Sequence, residues 1–183
     1  MGLIVRPSVE GDALALAAIY GHHVTNGYGT FEEAPPSAQE MAARRAAVVE
    51  RGLPYLVAEE AGVVAGFAYA APFRTRAAYR YTVEDSVYVA PEAMGRGVGK
   101  AVLAQVIEAC RGLGLRQVIA VIGGSDNAGS IGVHRSLGFR HVGVGEGLGF
   151  KHGRWIDVVW MQLSLNGGTE GIPAADGLSL SGG

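Results

Sequence analysis

The hydrophobic residues of this chain recur with two different periods, and each change of period marks the end of a predicted element. Spacing of three and four residues indicates helices, whereas alternation or a short apolar run indicates strands. The predicted helices cover residues 12–24, 37–51, 99–113 and 127–137, and the predicted strands cover 3–6, 55–58, 63–69, 81–89, 117–122, 139–144 and 156–165. Asp12 and Ser37 are the predicted N-caps of the first two helices. The order of elements predicts a mixed α/β domain with helices on both faces of a sheet.

The segment 81–89 shows the clearest alternation. One face of this strand carries Val83, Asp85, Val87 and Val89, and the opposite face carries Thr82, Glu84, Ser86 and Tyr88. Glu84 therefore lies away from the apolar face, whereas Asp85 lies among the valines. From alternation alone, Glu84 is either a solvated or ion-paired strand carboxylate or part of a site.

The predicted helix 99–113 has a continuous apolar stripe that includes Val102, Leu103, Val106, Ile107 and Cys110. Cys110 is the only cysteine, so an internal disulfide is impossible. Its place on the stripe assigns it to core packing and not to catalysis.

Composition indicates one folded domain and a tail. The chain has 183 residues, of which 49% are hydrophobic and 29 are glycine, enough to bury a sizeable core. Residues 1–165 hold all the periodic segments, whereas 166–183 are rich in glycine and serine and are predicted to be disordered.

The charge balance excludes several classes of partner. Fifteen basic and seventeen acidic residues give a net charge of −2, which does not fit the basic face of a nucleic-acid-binding protein.

The first residues show no basic leader before an apolar run, and no apolar stretch has the length needed to span a bilayer. We therefore expect a cytoplasmic protein with neither a nucleic-acid nor a membrane partner.

A glycine-rich turn, Met94-Gly95-Arg96-Gly97-Val98-Gly99-Lys100, joins the strand 81–89 to the helix that follows. Glycines let a ligand approach the backbone, and amide groups before a helix form a cradle for an anion such as a pyrophosphate. The spacing is neither that of the dinucleotide fingerprint nor that of a P-loop. Taken alone, the turn fits a phosphate cradle and a tight strand-to-helix connection equally well.

A second motif, Asn127-x-x-Ser130-x-x-x-His134-x-x-x-Gly138-Phe139, follows about 30 residues later. Together the two motifs resemble the acetyl-CoA site of the GNAT N-acetyltransferase superfamily. Met94 replaces the Gln or Arg that is usual in the first motif, and His134 replaces the common tyrosine of the second.

Further segments resemble the phosphinothricin and methionine sulfoximine/sulfone acetyltransferases, a GNAT subfamily in which histidine is usual at position 134. These segments are 29–33, 72–89, 133–139 and 151–158. The resemblance covers about residues 3–165. It implies a central mixed, mostly antiparallel sheet of about seven strands flanked by about four helices.

The resemblance also implies an activity: acetyl transfer from acetyl-CoA to the primary amine of a small amino-acid-like substrate. Glu84 is then the general base and His134 a donor to the departing thiolate, with Asp85 as the weaker candidate base. The implied acetyl-CoA ligands are Val87, Tyr88 and Val89 along the pantetheine, Gly95, Arg96, Gly97, Val98, Gly99 and Lys100 around the pyrophosphate, and Asn127 and Ser130 on the following helix. Asn127 fits the N-cap of that helix equally well.

On the amine side, the resemblance implies Phe31, Arg74, Thr75, Arg76 and Glu84. Guanidinium groups suit a carboxylate or phosphinyl oxygen, although a solvated loop is the ordinary place for an arginine. Phe31 either walls the pocket or packs beneath the Pro35-Pro36 loop.

Other functions remain open from the sequence. A GNAT enzyme acting on a peptide N-terminus or an aminoglycoside and a non-catalytic acyl-CoA-binding sensor are the alternatives. We expect no metal, because His22, His23, His141 and His152 lack ligand spacing. The subfamily implies a homodimer formed through the late strands and loops.

Overall fold

A computed structural model describes residues 2–180 as one mixed α/β fold. The strands are β1 (Ile4–Pro7), β2 (Tyr55–Glu60), β3 (Val63–Pro72), β4 (Thr82–Val89), β5 (Gln117–Gly123), β6 (Arg140–Lys151) and β7 (Arg154–Ser164). The helices are α1 (Ala13–Asn26), α2 (Ala38–Glu50), α3 (Val98–Gly112) and α4 (Ala128–Ser136), and short 3-10 turns cover 10–12, 77–79 and 91–93.

The seven strands form one sheet in the order β1-β2-β3-β4-β5-β7-β6. Neighbouring strands are antiparallel except for β4 and β5, which are parallel. The parallel pairing joins Thr82–Asp85 to Gln117–Ala120 and then stops, although both strands continue. The two strands therefore diverge in the middle of the sheet. The predicted mostly antiparallel seven-stranded sheet with four helices is confirmed.

Cross-strand pairs show which side chains share a face of the sheet. Phe67 pairs with Tyr88, and Ala71 pairs with Glu84, so one face carries the aromatic side chains and Glu84. Tyr20 of α1 packs on Tyr88 there, with ring centroids 4.8 Å apart. We call this the α1–α2 face.

The opposite face carries α3 and α4. A Cβ at Gly66 of β3 would lie 3.0 Å from Val98 of α3, and one at Gly99 would lie 3.2 Å from Val89. His134 of α4 reaches Asp85 on the same side. We call this the α3–α4 face.

The apolar stripe of α3 packs as the sequence predicts. Val102, Leu103, Val106 and Cys110 are each fully buried. Burial, together with the nearby Asp85 carboxyl, raises the pKa of the Cys110 thiol to about 12, which leaves it without thiolate character near neutral pH.

The structure corrects one local prediction and refines another. The strand predicted at 139–144 continues to Lys151, with register shifts between His141 and Gly143 and between Gly145 and Gly149. Asp12 occupies the N-cap position of α1 as predicted, but its side chain makes no capping hydrogen bond, because its carboxylate accepts hydrogen bonds from the Val9 backbone N–H (2.8 Å) and from Arg6 (2.9 Å). Ser37 caps α2 as predicted, accepting from the Glu40 N–H at 3.1 Å.

Residues 166–180 contain neither helix nor strand, yet they bond to the domain. The Tyr81 hydroxyl donates to the Ala175 carbonyl (2.8 Å), and the Leu178 N–H donates to the Arg80 carbonyl (2.7 Å). The division into a domain at 1–165 and a disordered tail at 166–183 stays a prediction, and its last residues, 181–183, lie outside the described residues. Between residues 2 and 180, no helix has the length and apolar character needed to cross a membrane.

We expect Gly66→Ala to destabilise the fold, because its Cβ would lie 2.9 Å from the Tyr88 carbonyl oxygen and 3.0 Å from Val98. Overpacking of this kind costs about 1–3 kcal/mol of the free energy of unfolding. The matched control is Gly112→Ala in α3, where a Cβ meets open space and alanine favours the helix by up to about 1 kcal/mol. Urea denaturation compares the two variants, and equal stabilities would contradict the expectation.

Candidate active site

A cleft opens where β4 and β5 diverge. Its volume is about 910 Å³, which is the size of a small-molecule or cofactor site. It is lined by residues 85–89 of β4, the turn before α3, the end of β5, one face of α4, the C-terminal end of α1 and residues 27–29 of the loop that follows α1. The predicted phosphate turn and the predicted Asn127–His134 motif thus border the same cavity.

The glycine-rich turn has the backbone that an anion cradle requires. Gly95 and Gly97 have φ angles of +74° and +82°, a left-handed conformation that favours glycine. Gly97 is the N-cap of α3, and no side chain among the described residues caps it. The amides of the first turn lack intrahelical partners and are available to a ligand at the positive end of the helix dipole. This backbone fits a pyrophosphate.

The side chains of the turn contribute less than its backbone. Arg96 forms an ion pair with Glu60 of β2, Lys100 is exposed, and Met94 is 48% exposed. Val98 and Gly99 are buried against the sheet. The turn is thus anchored from beneath while its outer surface stays open.

His23 of α1 is a cleft residue that the sequence analysis did not identify. Its Nε2 lies 2.9 Å from the carbonyl oxygen of Val89. Burial lowers the pKa of His23, so we assign a neutral ring whose Nε2–H donates to that carbonyl. This bond ties α1 to Val89 at the end of β4, one of the residues predicted to contact pantetheine.

His134 and Asp85 form a buried pair on the α3–α4 face. The Nε2 of His134 lies 2.9 Å from Asp85 Oδ2, and its Nδ1 lies 2.7 Å from the Ser130 carbonyl oxygen. Burial opposes the charge of the ring, but the Asp85 hydrogen bond, the Asp85 charge and the Ser130 carbonyl outweigh it and raise the pKa of His134. Both ring nitrogens of the imidazolium therefore act as donors within the protein.

The sequence contained a sign of this pair. Asp85 alternates with Val83 and Val87 on the buried face, and a buried carboxylate requires a partner. Its other oxygen, Oδ1, is buried and has no hydrogen-bond partner within residues 2–180. Alternation alone does not show which residue pairs with Asp85, because His134 is 49 positions away.

Asn127 is the N-cap of α4. Its Oδ1 accepts from the Ser130 N–H at 3.1 Å, and its Nδ2 donates to the Gly123 carbonyl at 3.3 Å. The Ser130 hydroxyl lies 3.4 Å from His134 Nδ1. The Asn127 side chain is therefore engaged in capping. Asn127 and Ser130 both line the cleft.

Glu84 lies on the other face, half-buried, at the last stretch where β4 and β5 still pair. Burial raises the pKa of Glu84 and the Asp85 charge adds to the rise, whereas Arg74 opposes it. Arg74 is thus the predicted arginine that the structure brings toward Glu84. Thr75 and Arg76 are exposed on the same segment.

Phe31 shares the α1–α2 face with Glu84 but lies farther along the sheet. Its ring sits over Gly149 of β6 and close to Gly123 of β5. Glu84 pairs with Ile119, and Gly123 lies four residues beyond, about 13 Å along a strand. Glu84 and Phe31, both predicted to contact the amine, therefore lie at opposite ends of the same face of the sheet.

No group of three or more His, Cys, Asp or Glu side chains that could hold a metal ion occurs among residues 2–180. The polar groups of the cleft include backbone amides, hydroxyls, the His134–Asp85 pair, His23 and Lys100. They suit binding of a phosphate-bearing ligand and stabilisation of developing negative charge.

The raised pKa of His134 predicts a pH-dependent stability. The pair stabilises the fold fully below about pH 6.5, the ordinary histidine value, and this contribution is lost as pH rises through the raised pKa. Asp85→Asn removes the pair at a cost of about 3–5 kcal/mol and flattens that pH dependence. The control is Asp126→Asn, an exposed partner of Arg154. Urea denaturation between pH 6 and 9 tests this, and parallel curves for wild type and Asp85→Asn would contradict it.

Comparisons with known proteins agree with this geometry. A profile of the Acetyltransferase (GNAT) family matches residues 16–139. The chain is 51% identical to phosphinothricin N-acetyltransferase of Alcaligenes faecalis, over 92% of this chain and 86% of that protein. It is 37% identical to L-methionine sulfoximine/L-methionine sulfone acetyltransferase of Salmonella typhimurium, over 90% and 95% of the two chains.

A solved structure extends the similarity to the cosubstrate. The crystal structure of a GNAT phosphinothricin acetyltransferase from Sinorhizobium meliloti, in complex with acetyl-CoA, superposes with a TM-score of 0.91 at 48% identity, covering 95% of this chain and 94% of that one. The anion cradle, the cleft between β4 and β5 and these similarities lead to one conclusion: the chain belongs to the GNAT family and is an acetyl-CoA-dependent N-acetyltransferase.

Proposed function

We propose that this enzyme acetylates the primary amine of a small amino-acid-like substrate of the phosphinothricin, methionine sulfoximine or methionine sulfone type, in the cytoplasm. The observation that carries the proposal is the half-buried Glu84 on the α1–α2 face, close enough to Arg74 for the arginine charge to act on its pKa, at the edge of the cleft that suits acetyl-CoA. The relatives named for these substrates support it.

Acetyl-CoA binds with its pyrophosphate at the amides of Gly95, Arg96, Gly97, Val98, Gly99 and Lys100. The pantetheine follows Val87, Tyr88 and Val89, because the β4 edge is released from β5 after Asp85. Ser130 offers a hydroxyl to the pantetheine, and Asn127 contributes by holding the first turn of α4. These contacts fix the thioester at the point of divergence, and positioning of this kind supplies much of an enzyme's rate.

Glu84 acts as the general base, directly or through a water molecule. It accepts a proton from the substrate ammonium, and the free amine attacks the thioester carbonyl to form the N–C bond. The C–S bond then breaks, and the second proton lost by the acetylated nitrogen passes to the departing thiolate. A carboxylate with a raised pKa suits this step, because its pKa is closer to the working pH than the pKa of an exposed glutamate.

His134 serves the leaving group as a held imidazolium whose charge is partly offset by Asp85. Its two N–H groups are held by Asp85 and the Ser130 carbonyl, so donation to the thiolate would require one of these bonds to break. A held imidazolium beside the cleft stabilises negative charge without reorganising during the reaction.

The acceptor occupies the α1–α2 face between Glu84 and Phe31. Arg74 and Arg76, on a segment with Thr75, bind the carboxylate or the phosphinyl and sulfonyl oxygens, for which a guanidinium is well suited. The Arg74 guanidinium lies 4.4 Å over the Phe73 ring, which limits the orientations it can take. Phe31 closes the other end against the apolar part of the substrate.

We also propose a homodimer formed through the late strands. β6 is an edge strand, and the β6–β7 hairpin exposes Val142, Leu148, Phe150 and Trp155, with Trp155 70% exposed. Apolar side chains concentrated on one hairpin mark an interaction surface, and the unpaired strand edge lies beside them.

Glu84→Gln should lower kcat about 10²- to 10⁴-fold, the usual contribution of a general base, and leave acetyl-CoA affinity unchanged. In the wild type, kcat should rise with pH through the raised pKa of Glu84, and this limb should vanish in the variant. Glu108→Gln, an exposed carboxylate of α3 paired with Arg111, is the control. Thiol release measures turnover, and an unchanged kcat in Glu84→Gln would refute the assignment of the base.

The substrate class is tested with phosphinothricin, methionine sulfoximine and methionine sulfone beside a peptide and an aminoglycoside. We expect turnover with at least one of the three amino acids. Arg74→Ala should raise the KM of that substrate about 10- to 100-fold, as for loss of a charge-assisted hydrogen bond, with Arg111→Ala as the control. Acetylation of only the peptide or the aminoglycoside would overturn the substrate class, and acetyl-CoA binding without any turnover would favour a sensor.

A further inference from the structure

Lys151 is a buried charge that the acetyl-transfer chemistry does not use. It ends β6 and is only 2% exposed. Its Nζ donates to the Gly27 carbonyl at 2.9 Å and to the Thr30 carbonyl at 2.7 Å. Both acceptors belong to the loop 27–37 between α1 and α2. A buried ammonium is costly unless its protons are hydrogen-bonded. The two bonds to the loop carbonyls therefore fix the position of the Lys151 ammonium.

The loop presses onto the sheet where two strands carry glycine. A Cβ at Gly149 would overlap the Phe31 ring, and a Cβ at Gly123 would overlap the Tyr28 carbonyl oxygen. Gly149 lies two residues before Lys151, on the same face of β6. The bare backbone at Gly149 therefore receives the ring while the ammonium of Lys151 holds the loop above it.

The loop is also anchored on the far side of Phe31. Glu32 accepts two hydrogen bonds from Arg44 of α2, at 2.6 and 3.1 Å, and one from the Tyr20 hydroxyl at 2.8 Å. The Thr30 hydroxyl lies 2.8 Å from the same Tyr20 oxygen. Phe31 thus stands between an anchor on β6 and an anchor on the two helices, and its backbone has little freedom to turn.

We infer that Lys151 is a positioning residue for the acceptor site: by clamping residues 27–30 onto β6, it holds Phe31 as the end wall of the amine pocket. The inference rests on the proposed function in one respect, that the amine binds on the α1–α2 face. The clamp explains why a lysine is buried at the end of β6 and why the backbone facing Phe31 is glycine.

The first test is Lys151→Met, which keeps much of the side-chain length but removes both donors. If the loop is clamped only part of the time, the apparent affinity for the amine falls in proportion to the clamped fraction. If that fraction falls to about one tenth, the KM of the amine rises about tenfold. We expect a rise of this size in the KM of the amine, measured at saturating acetyl-CoA because residues 27–29 also line the cleft.

Gly149→Ala tests the same wall while keeping the ammonium, and it remains informative if Lys151→Met fails to fold. Its Cβ displaces the Phe31 ring, a side-chain end that can move without unfolding the strand. Gly143→Ala is the matched control on the same strand, because a Cβ there meets nothing within 4 Å. We expect the amine KM to rise in Gly149→Ala and to stay at the wild-type value in Gly143→Ala.

Hydrogen exchange of the amides of residues 27–31 separates the clamp from the proposed function. Faster exchange in Lys151→Met than in wild type supports the clamp, and equal exchange overturns it, whichever substrate the enzyme uses. Equal amine KM values in wild type, Lys151→Met and Gly149→Ala would overturn the assignment of Phe31 as a held wall. Failure of wild type to acetylate any of the three amino acids would instead defeat the substrate proposal and leave the exchange result to decide on the clamp.

Discussion

The arrangement of this enzyme depends on the short parallel pairing between β4 and β5. Four residues of each strand pair, from Thr82 to Asp85 and from Gln117 to Ala120, and then the strands separate. A strand released from its neighbour exposes backbone amides and carbonyls that a ligand can satisfy. The same separation opens the cleft below the glycine turn and leaves Glu84 just before the gap. Binding surface and candidate base therefore arise from one interruption of a ladder.

Just before the divergence, the two faces of β4 carry carboxylates with different surroundings. Successive residues of a strand point to opposite sides, so Glu84 and Asp85 are adjacent in sequence yet serve different surroundings. Asp85 is buried against α4 and pairs with His134, whereas Glu84 is half-buried among groups that include Arg74. Two carboxylates on one short segment thus acquire different environments through the pleat alone. This division leaves Glu84 free to exchange protons, because Asp85 rather than Glu84 satisfies the imidazolium.

Buried charge fixes the elements that border the site. The His134–Asp85 pair joins α4 to β4, and Lys151 joins the loop 27–37 to β6. Removal of either partner of a buried pair costs far more than the loss of an exposed salt bridge. Both contacts bury polar groups that hydrophobic packing alone would exclude. Because hydrogen bonds are directional, these contacts restrict distances and angles more closely than apolar contacts do.

Periodicity and motif spacing were enough to predict the order of the elements, the buried stripe of α3, the glycine-rich turn before it and the opposite faces of Glu84 and Asp85. All of these depend on residues close together in the chain, where backbone geometry determines which side chains share a face. The full length of β6, the partner of Asp85 and the role of Lys151 depended on the tertiary structure. The Phe31 ring accounts for the glycine at position 149, and β6 continues past Gly145 through a register shift. His134 and the loop carbonyls reach their partners across 49 and more than 120 residues, and contacts of that range are decided by how the sheet folds, not by local sequence.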